Sequence, residues 1–183
     1  MPKGHVFIAQ SLDGFIARVD HALDWLNKQQ VSGEEHGYDA FIKGMDGLVM
    51  GANTFRQVKS FEVWPYEIPV VVMSQSLEAD AIPERLADKV RLTRTRPFRL
   101  MQVLEEEGWS NVYVDGGALI QSFLRAGLIH EITLTTVPVL LGHGRRLFGA
   151  LERDVDLSLE RAQSFASGLI TCRYRILPTL DVS

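Results

Sequence analysis

Cysteine is almost missing: Cys172 stands alone in 183 residues, so no internal disulfide can staple the chain. It sits in an alternating segment and is expected to be a small buried hydrophobe in a reducing, cytoplasmic setting. Long apolar runs are missing too. Nothing approaches the roughly 20 residues that cross a bilayer as a helix, and Met1-Pro2-Lys3-Gly4-His5 lacks the apolar stretch of a signal peptide. No membrane partner is expected. Charge of one sign is absent as well. The 19 Lys and Arg are interspersed with 23 Asp and Glu, a net charge of −4. Without a basic stripe to release counterions from phosphates, nucleic acid is not an expected partner. The five histidines are isolated, no C-x-x-C occurs, and no metal site is expected.

What is present is an ordinary globular composition, 46% hydrophobic and 23% charged. A chain of this length fills one core and is short for two, so a single domain over 1–183 is expected. Short apolar runs alternate with helical patterns, the mark of an α/β sheet covered by helices. Strands are expected at His5–Gln10, Gly47–Gly51, Pro69–Ser74, Val90–Arg94, Asn111–Asp115, Glu131–Leu141, Leu157–Phe165 and Leu169–Leu177. Leu48-Val49-Met50 and Val70-Val71-Val72-Met73 show no polar alternation, which suits central strands buried on both faces. The last two strands flank Ala166-Ser167-Gly168, a connection of hairpin length, and should end the sheet as an antiparallel pair. Helices are expected at Glu34–Gly44, Arg99–Glu107 and Ala118–Ala126, with shorter ones at Asn53–Val58 and Ile82–Leu86.

Three strand ends carry the chemistry. In Val112-Tyr113-Val114-Asp115-Gly116-Gly117-Ala118 a buried strand meets a glycine pair and a helix opens at once. Glycines there admit a ligand close to the backbone, and free helix N–H groups can hold a phosphate. A tight turn that binds nothing is the alternative. No G-x-G-x-x-G follows a strand, so this is not the Rossmann fingerprint. At Gly51-Ala52-Asn53-Thr54, Asn53 or Thr54 can cap the next helix or face a phosphate. Ser11-Leu12-Asp13-Gly14-Phe15-Ile16 is either an Asp-Gly turn or a loop that closes over a ligand on a glycine hinge. Ligands of open α/β sheets bind beyond the carboxyl ends of strands, which would unite the three.

Six motifs in order carry a resemblance: Ser11-Leu12-Asp13-Gly14, Asp24-Trp25-Leu26, Val49-Met50-Gly51-x-x-Thr54-Phe55, Trp64-Pro65, Asp115-Gly116-Gly117, and Pro138-Val139-Leu140-Leu141-Gly142-x-Gly144-x-x-Leu147-Phe148. From about Lys3 to Leu177 the chain resembles the dihydrofolate-reductase-like family. It is most similar to the reductase branch of bacterial riboflavin-biosynthesis enzymes (RibD C-terminal-like) and its small stand-alone members. The resemblance implies a mixed, mostly parallel eight-stranded sheet flanked by helices, with the antiparallel C-terminal hairpin. It implies NADPH as cofactor, with NADH as the alternative. Ala9, Gly14 and Ile16 would lie near the nicotinamide. Gly51, Asn53 and Thr54 on one side, and Asp115, Gly116, Gly117, Ala118, Leu119 and Ile120 on the other, would face the diphosphate. Ser74 would stand near the adenosine 2′-phosphate. Two departures bear on that position: Ala52 and Gln75 stand where relatives often carry basic residues.

For a proton donor the resemblance points to Glu35, with Asp13 as rival. Glu34 and Glu35 equally suit a helix's first turn as complements to its dipole, and Asp13 equally suits a turn-stabilising role. The implied reaction is hydride transfer to a small heterocyclic or ribosylamino-pyrimidine substrate, as in 5-amino-6-(5-phosphoribosylamino)uracil reductase or dihydrofolate reductase. No H-x-E…P-C-x-x-C deaminase signature is present. The other reading is a dinucleotide-binding sensor or regulatory protein without reductase activity. Family members often pair as homodimers through a sheet edge, for which Glu131–Leu141 would serve.

Overall fold

The computed structural model describes residues 1–28 and 33–178. Its centre is an eight-stranded sheet. The strands in chain order are β1 (Lys3–Ser11), β3 (Gly47–Gly51), β4 (Val70–Met73), β5 (Val90–Thr93), β6 (Asn111–Asp115), β7 (Ile129–Val137), β9 (Leu157–Ser164) and β10 (Ile170–Ile176). They lie in the order β5-β4-β3-β6-β1-β7-β10-β9. The six from β5 to β7 are parallel neighbours, and β10 runs antiparallel to both β7 and β9. A second, two-stranded sheet pairs β2 (Phe15–Ala17) with β8 (Arg145–Arg146), neither of which the sequence pattern announced.

The run Leu48-Val49-Met50 is wholly buried because side chains alternate between two apolar layers. Val49 joins Val71, Val112 and Val114 beneath helices α4 (Pro97–Glu106) and α5 (Gly117–Arg125). Leu48 and Met50 join Val70, Val72 and Tyr113 on the other face. Helices α2 (Tyr38–Lys43) and α3 (Ala52–Val58) cover that face through Phe41, Phe55 and Val58. Trp64 stacks edge-on against Phe55 and Tyr66 within this layer. A third cluster sets Trp25, from the short helix α1 (Asp24–Asn27), against Val137 and Leu169.

Several boundaries differ from expectation for local reasons. Pro97, with φ already near the helical value, starts α4 two residues early. Helix α2 starts only at Tyr38, because Gly37 adopts a left-handed φ of 86° before it. Glu34 and Glu35 are therefore outside its first turn, and Glu34 instead accepts the Ser167 N–H at 2.9 Å and hydroxyl at 2.5 Å. Strand β7 stops at Val137 because Pro138 offers no N–H to the ladder, and it is no free sheet edge for a dimer, since β1 and β10 pair with it on either side. The expected helix at Ile82–Leu86 is a pair of 3-10 turns, Ala79–Ala81 and Glu84–Leu86. Cys172 is half-buried, not a core residue.

Candidate active site

The chain winds outward from β3 to β5, then returns to insert β6 between β3 and β1. The crevice beyond the carboxyl ends of these three strands is the switch point where open α/β sheets bind ligands. A cleft of about 1380 Å³ lies there, lined by residues from β1, β2, α1, α3, β6, α5 and β8. Ordinary single-ligand pockets span about 300–1,000 Å³, so this one has room for a dinucleotide beside a second molecule.

Its floor is backbone. Gly116 has φ +101°, and a Cβ there would stand 2.7 Å from Thr54 Oγ1. A Cβ on Gly117 would stand 2.5 Å from Ile16 Cδ1. The turn thus excludes a side chain at Gly116, one at Gly117 would have to displace the flexible end of Ile16, and the N-terminus of α5 opens onto the cleft through Gly117, Ala118 and Leu119. The peptide between the glycines is trans. Gly51 caps α3 with no side-chain bond. Asn53 does not cap that helix, since its side-chain Oδ1 accepts Arg56 Nη1 at 2.9 Å, and Thr54 packs under Gly116.

The rim is built of side chains from distant segments. Asp13 accepts the Ser11 hydroxyl at 2.6 Å and the backbone N–H groups of Leu141 and Gly142 at 3.1 and 2.7 Å. Leu147 N–H donates to the Gly14 carbonyl, and the Arg146 guanidinium stacks 4.6 Å from the Phe15 ring centre. Phe15 is only 6% exposed. Burying such a ring is worth roughly 1.5–3 kcal/mol, which holds this loop as a wall of the cleft. Among the described residues, Arg56, Arg145 and Arg146 line the cleft against a single acid, Asp115, in a chain of net charge −4. That imbalance favours an anionic ligand.

Residues 2–171 match the family model described as the RibD C-terminal domain. The chain belongs to that family. The uncharacterized protein YwjB of Bacillus subtilis (strain 168) is 31% identical over 169 residues, covering 91% of this chain and 94% of the relative. The structure of a Shewanella sp. PV-4 protein ascribed to riboflavin biosynthesis superposes with a TM-score of 0.90 at 36% identity, over 96% of this chain and 99% of that one. The Thermotoga maritima diaminohydroxyphosphoribosylaminopyrimidine deaminase/5-amino-6-(5-phosphoribosylamino)uracil reductase shares the fold, with a TM-score of 0.70 at 16% identity. This chain spans 96% of itself and 57% of that larger protein.

Within this RibD C-terminal fold, Ala9, Ile16, Gly51, Asn53, Thr54, Asp115, Gly116, Gly117, Ala118 and Leu119 all line the one cleft. Five residues singled out from the sequence do not. Ile120 is fully buried under the sheet. The Ser74 hydroxyl accepts the N–H groups of Ser76 and Leu77, and Ser76 lines the cleft in its place. Gly14 serves its turn at φ +87°. Glu35 is exposed away from the lining. Asp13 is committed to the rim, where chiefly the Ser11 hydroxyl, then the Gly142 and Leu141 N–H groups, lower its pKa to about 2. A carboxylate so held does not carry a proton at neutral pH.

The acid that faces the cleft is Asp115. Part of the residue lines the opening, while packing between the ends of β3 and β6 desolvates its carboxyl and raises the pKa to about 6. The Gly116 N–H, donating to Oδ1 at 2.8 Å, opposes that rise. The family resemblance implies Asp115 as a cofactor contact. The signal for acid chemistry was its position, a carboxyl ending a buried parallel strand with only glycine after it. Arg145, Arg146, Gln57 and His21 also line the cleft. No local pattern marks Gln57 or His21, since the partner of Gln57 lies 36 residues away; Arg145 and Arg146 follow the Gly142-x-Gly144 motif and could be read as either anion contacts or a solvated pair.

Proposed function

We propose that this chain is an NADPH-dependent reductase that transfers a hydride to a C=N or C=O group of a ribosylamino-pyrimidine or similar heterocycle. The observation that carries this reading is the side-chain-free floor at Gly116 and Gly117, opening α5 onto a cleft with three arginines. A cradle that a Cβ would fill, backed by free N–H groups and cationic walls, suits a dinucleotide diphosphate. Membership of the RibD C-terminal family, and the reductase named for a protein of the same fold, support the chemistry.

A bound nicotinamide would supply the hydride. The chain's own residues then bind, orient and protonate. Gly51, Gly116 and the first turn of α5 would hold the diphosphate. Ala9 and Ile16 offer apolar surface that excludes water from the reacting end. Asp115 takes the place of Glu35 and Asp13 as general acid: the Gly116 N–H occupies Oδ1, which leaves the proton on Oδ2 to be delivered into the cleft. Arg56, which donates to Asn53 Oδ1, is the cation on α3 that can meet the 2′-phosphate where Ala52 offers none.

Quenching of intrinsic tryptophan fluorescence by NADPH in the micromolar range, with weaker quenching by NADH, is the expected result. Oxidation of NADPH with a panel of ribosylamino-pyrimidines and pterins tests turnover. No response to either nucleotide would overturn the cofactor reading. Binding without turnover across the panel would favour the sensor reading.

A further inference from the structure

Alternation along β6 sets Val112 and Val114 on one face of the sheet and Tyr113 and Asp115 on the other. Three tyrosines gather on the Asp115 face, and each is used differently. Tyr113 donates its hydroxyl to the Phe7 carbonyl at 3.1 Å and is spent there. Tyr38, on α2, packs edge-on against Phe7 and Tyr113 and lines a separate groove with Pro65 and Ile68. Of the three, Tyr66 lines the cleft.

Tyr66 belongs to the connection between α3 and β4, yet it is 9% exposed and packs with Leu48, Met50, Phe55 and Val58. Trp64 stands edge-on to it, with ring centres 5.3 Å apart and planes at 80°. The ring is thus fixed by the core. The hydroxyl is not: it has no hydrogen-bond partner among the described residues, and it is not among their side-chain polar atoms that are sealed from solvent without one. Burial first, then the charge at Asp115, push its pKa up, so the phenol keeps its proton and remains a donor.

We propose that Tyr66 is a specificity-determining residue of this site: its hydroxyl donates a hydrogen bond to a ring oxo group of the heterocycle, beside the edge that Asp115 protonates. The assignment rests on the reductase reading above and narrows its substrate to heterocycles with an oxo group on that edge. Asp115 and Tyr66 share one face of the sheet, so one planar ring can meet both. A wall that hydrogen-bonds a ligand group rejects the analogue lacking it, whereas an apolar wall makes little distinction.

Tyr66→Phe removes the hydroxyl and keeps the ring. The probes are 5-amino-6-(5-phosphoribosylamino)uracil and its two counterparts in which one ring oxo group is replaced by hydrogen. Each is titrated calorimetrically, both without NADPH and at saturating NADPH. Wild type should bind the parent compound about three- to tenfold more tightly than one of the counterparts, the worth of one hydrogen bond. Tyr66→Phe should bind those two about equally, by losing affinity for the parent alone, with NADPH affinity and melting temperature unchanged. Tyr38→Phe, altered at the outer groove, should keep the wild-type preference. A Tyr66→Phe protein that keeps that preference would overturn the proposal, as would a wild type that shows none or that binds no probe. Failure of the wild type to bind NADPH would sink the cofactor reading alone, because the titrations without NADPH then decide the contact.

Discussion

The floor and the rim of the cleft are built in opposite ways. The floor comes from short-range geometry: a buried strand, a turn without side chains, a helix N-terminus. The rim comes from side chains that meet across the chain, Asp13 with Gly142 and Arg145 with Val19, 129 and 126 residues apart. The floor offers backbone N–H groups that any phosphate can use. The rim supplies charge and shape, which distinguish one ligand from another. A change in the floor should therefore abolish binding outright, and a change in the rim should only detune it.

The largest effect is expected at Gly117. Its φ is not in the left-handed region, so Gly117→Val does not strain the backbone, and the nearest atom in the way is the flexible end of Ile16. The protein should fold, while NADPH affinity falls roughly 100-fold or more, about 2.8 kcal/mol. Isothermal titration beside a thermal melt separates the two. A folded Gly117→Val protein with wild-type affinity would break the contrast, because the floor would then not be where the diphosphate lies.

Asp115→Asn comes next and sharpens the contrast within the floor. Asn keeps an acceptor for the Gly116 N–H but cannot donate a proton as a carboxylic acid does, so turnover should drop about 10²–10⁴-fold with NADPH binding retained. In the wild-type protein, activity should decline as pH rises through about 6, where the acid is lost. Stability moves the other way. A carboxyl with its pKa raised from 3.8 to about 6 binds more protons folded than unfolded between those values. Its contribution is complete below 3.8 and is lost as pH rises through about 6, a deficit of up to about 3 kcal/mol at pH 7. Asn does not ionise, so the variant should melt higher than wild type at pH 7 and lose that advantage near pH 4.

This contrast also explains what could be read in advance. All eight strands of the main sheet were legible because Leu48–Met50 and Val70–Met73 are apolar without alternation, and because Gly168 marks the hairpin. The glycine floor was legible since a strand, Gly116-Gly117 and a helix follow one another directly. Strands β2 and β8 were not, because three and two residues carry no periodicity and each is defined only by its pairing with the other. The resemblance points to Glu35 as proton donor, yet a left-handed Gly37 delays α2 and Glu35 falls outside the cleft. Asp13 was visible as a residue; its commitment to Leu141 and Gly142 was not, because a long-range hydrogen bond leaves no local mark.

Asp13 supplies the smallest of the three effects. Asp13→Asn retains one acceptor oxygen but turns an NH2 group towards N–H donors that the carboxylate accepted, so Leu141 or Gly142 loses its partner. The loop 138–147 should loosen while the sheet stays intact. Trypsin should then cut after Arg145 or Arg146 sooner than in the wild type, and the melting temperature should fall. NADPH affinity should fall only about threefold, since the glycine floor is untouched. The acid limit fixes the cause. A pKa lowered from 3.8 to about 2 contributes stability above 3.8 and loses it as pH falls through about 2. The melting curves of variant and wild type should therefore converge across that interval. If the gap between them persists at pH 2, the carboxylate is not what joins the two loops; if NADPH affinity falls as far as in Gly117→Val, the rim holds the ligand as firmly as the floor does and the division between them fails.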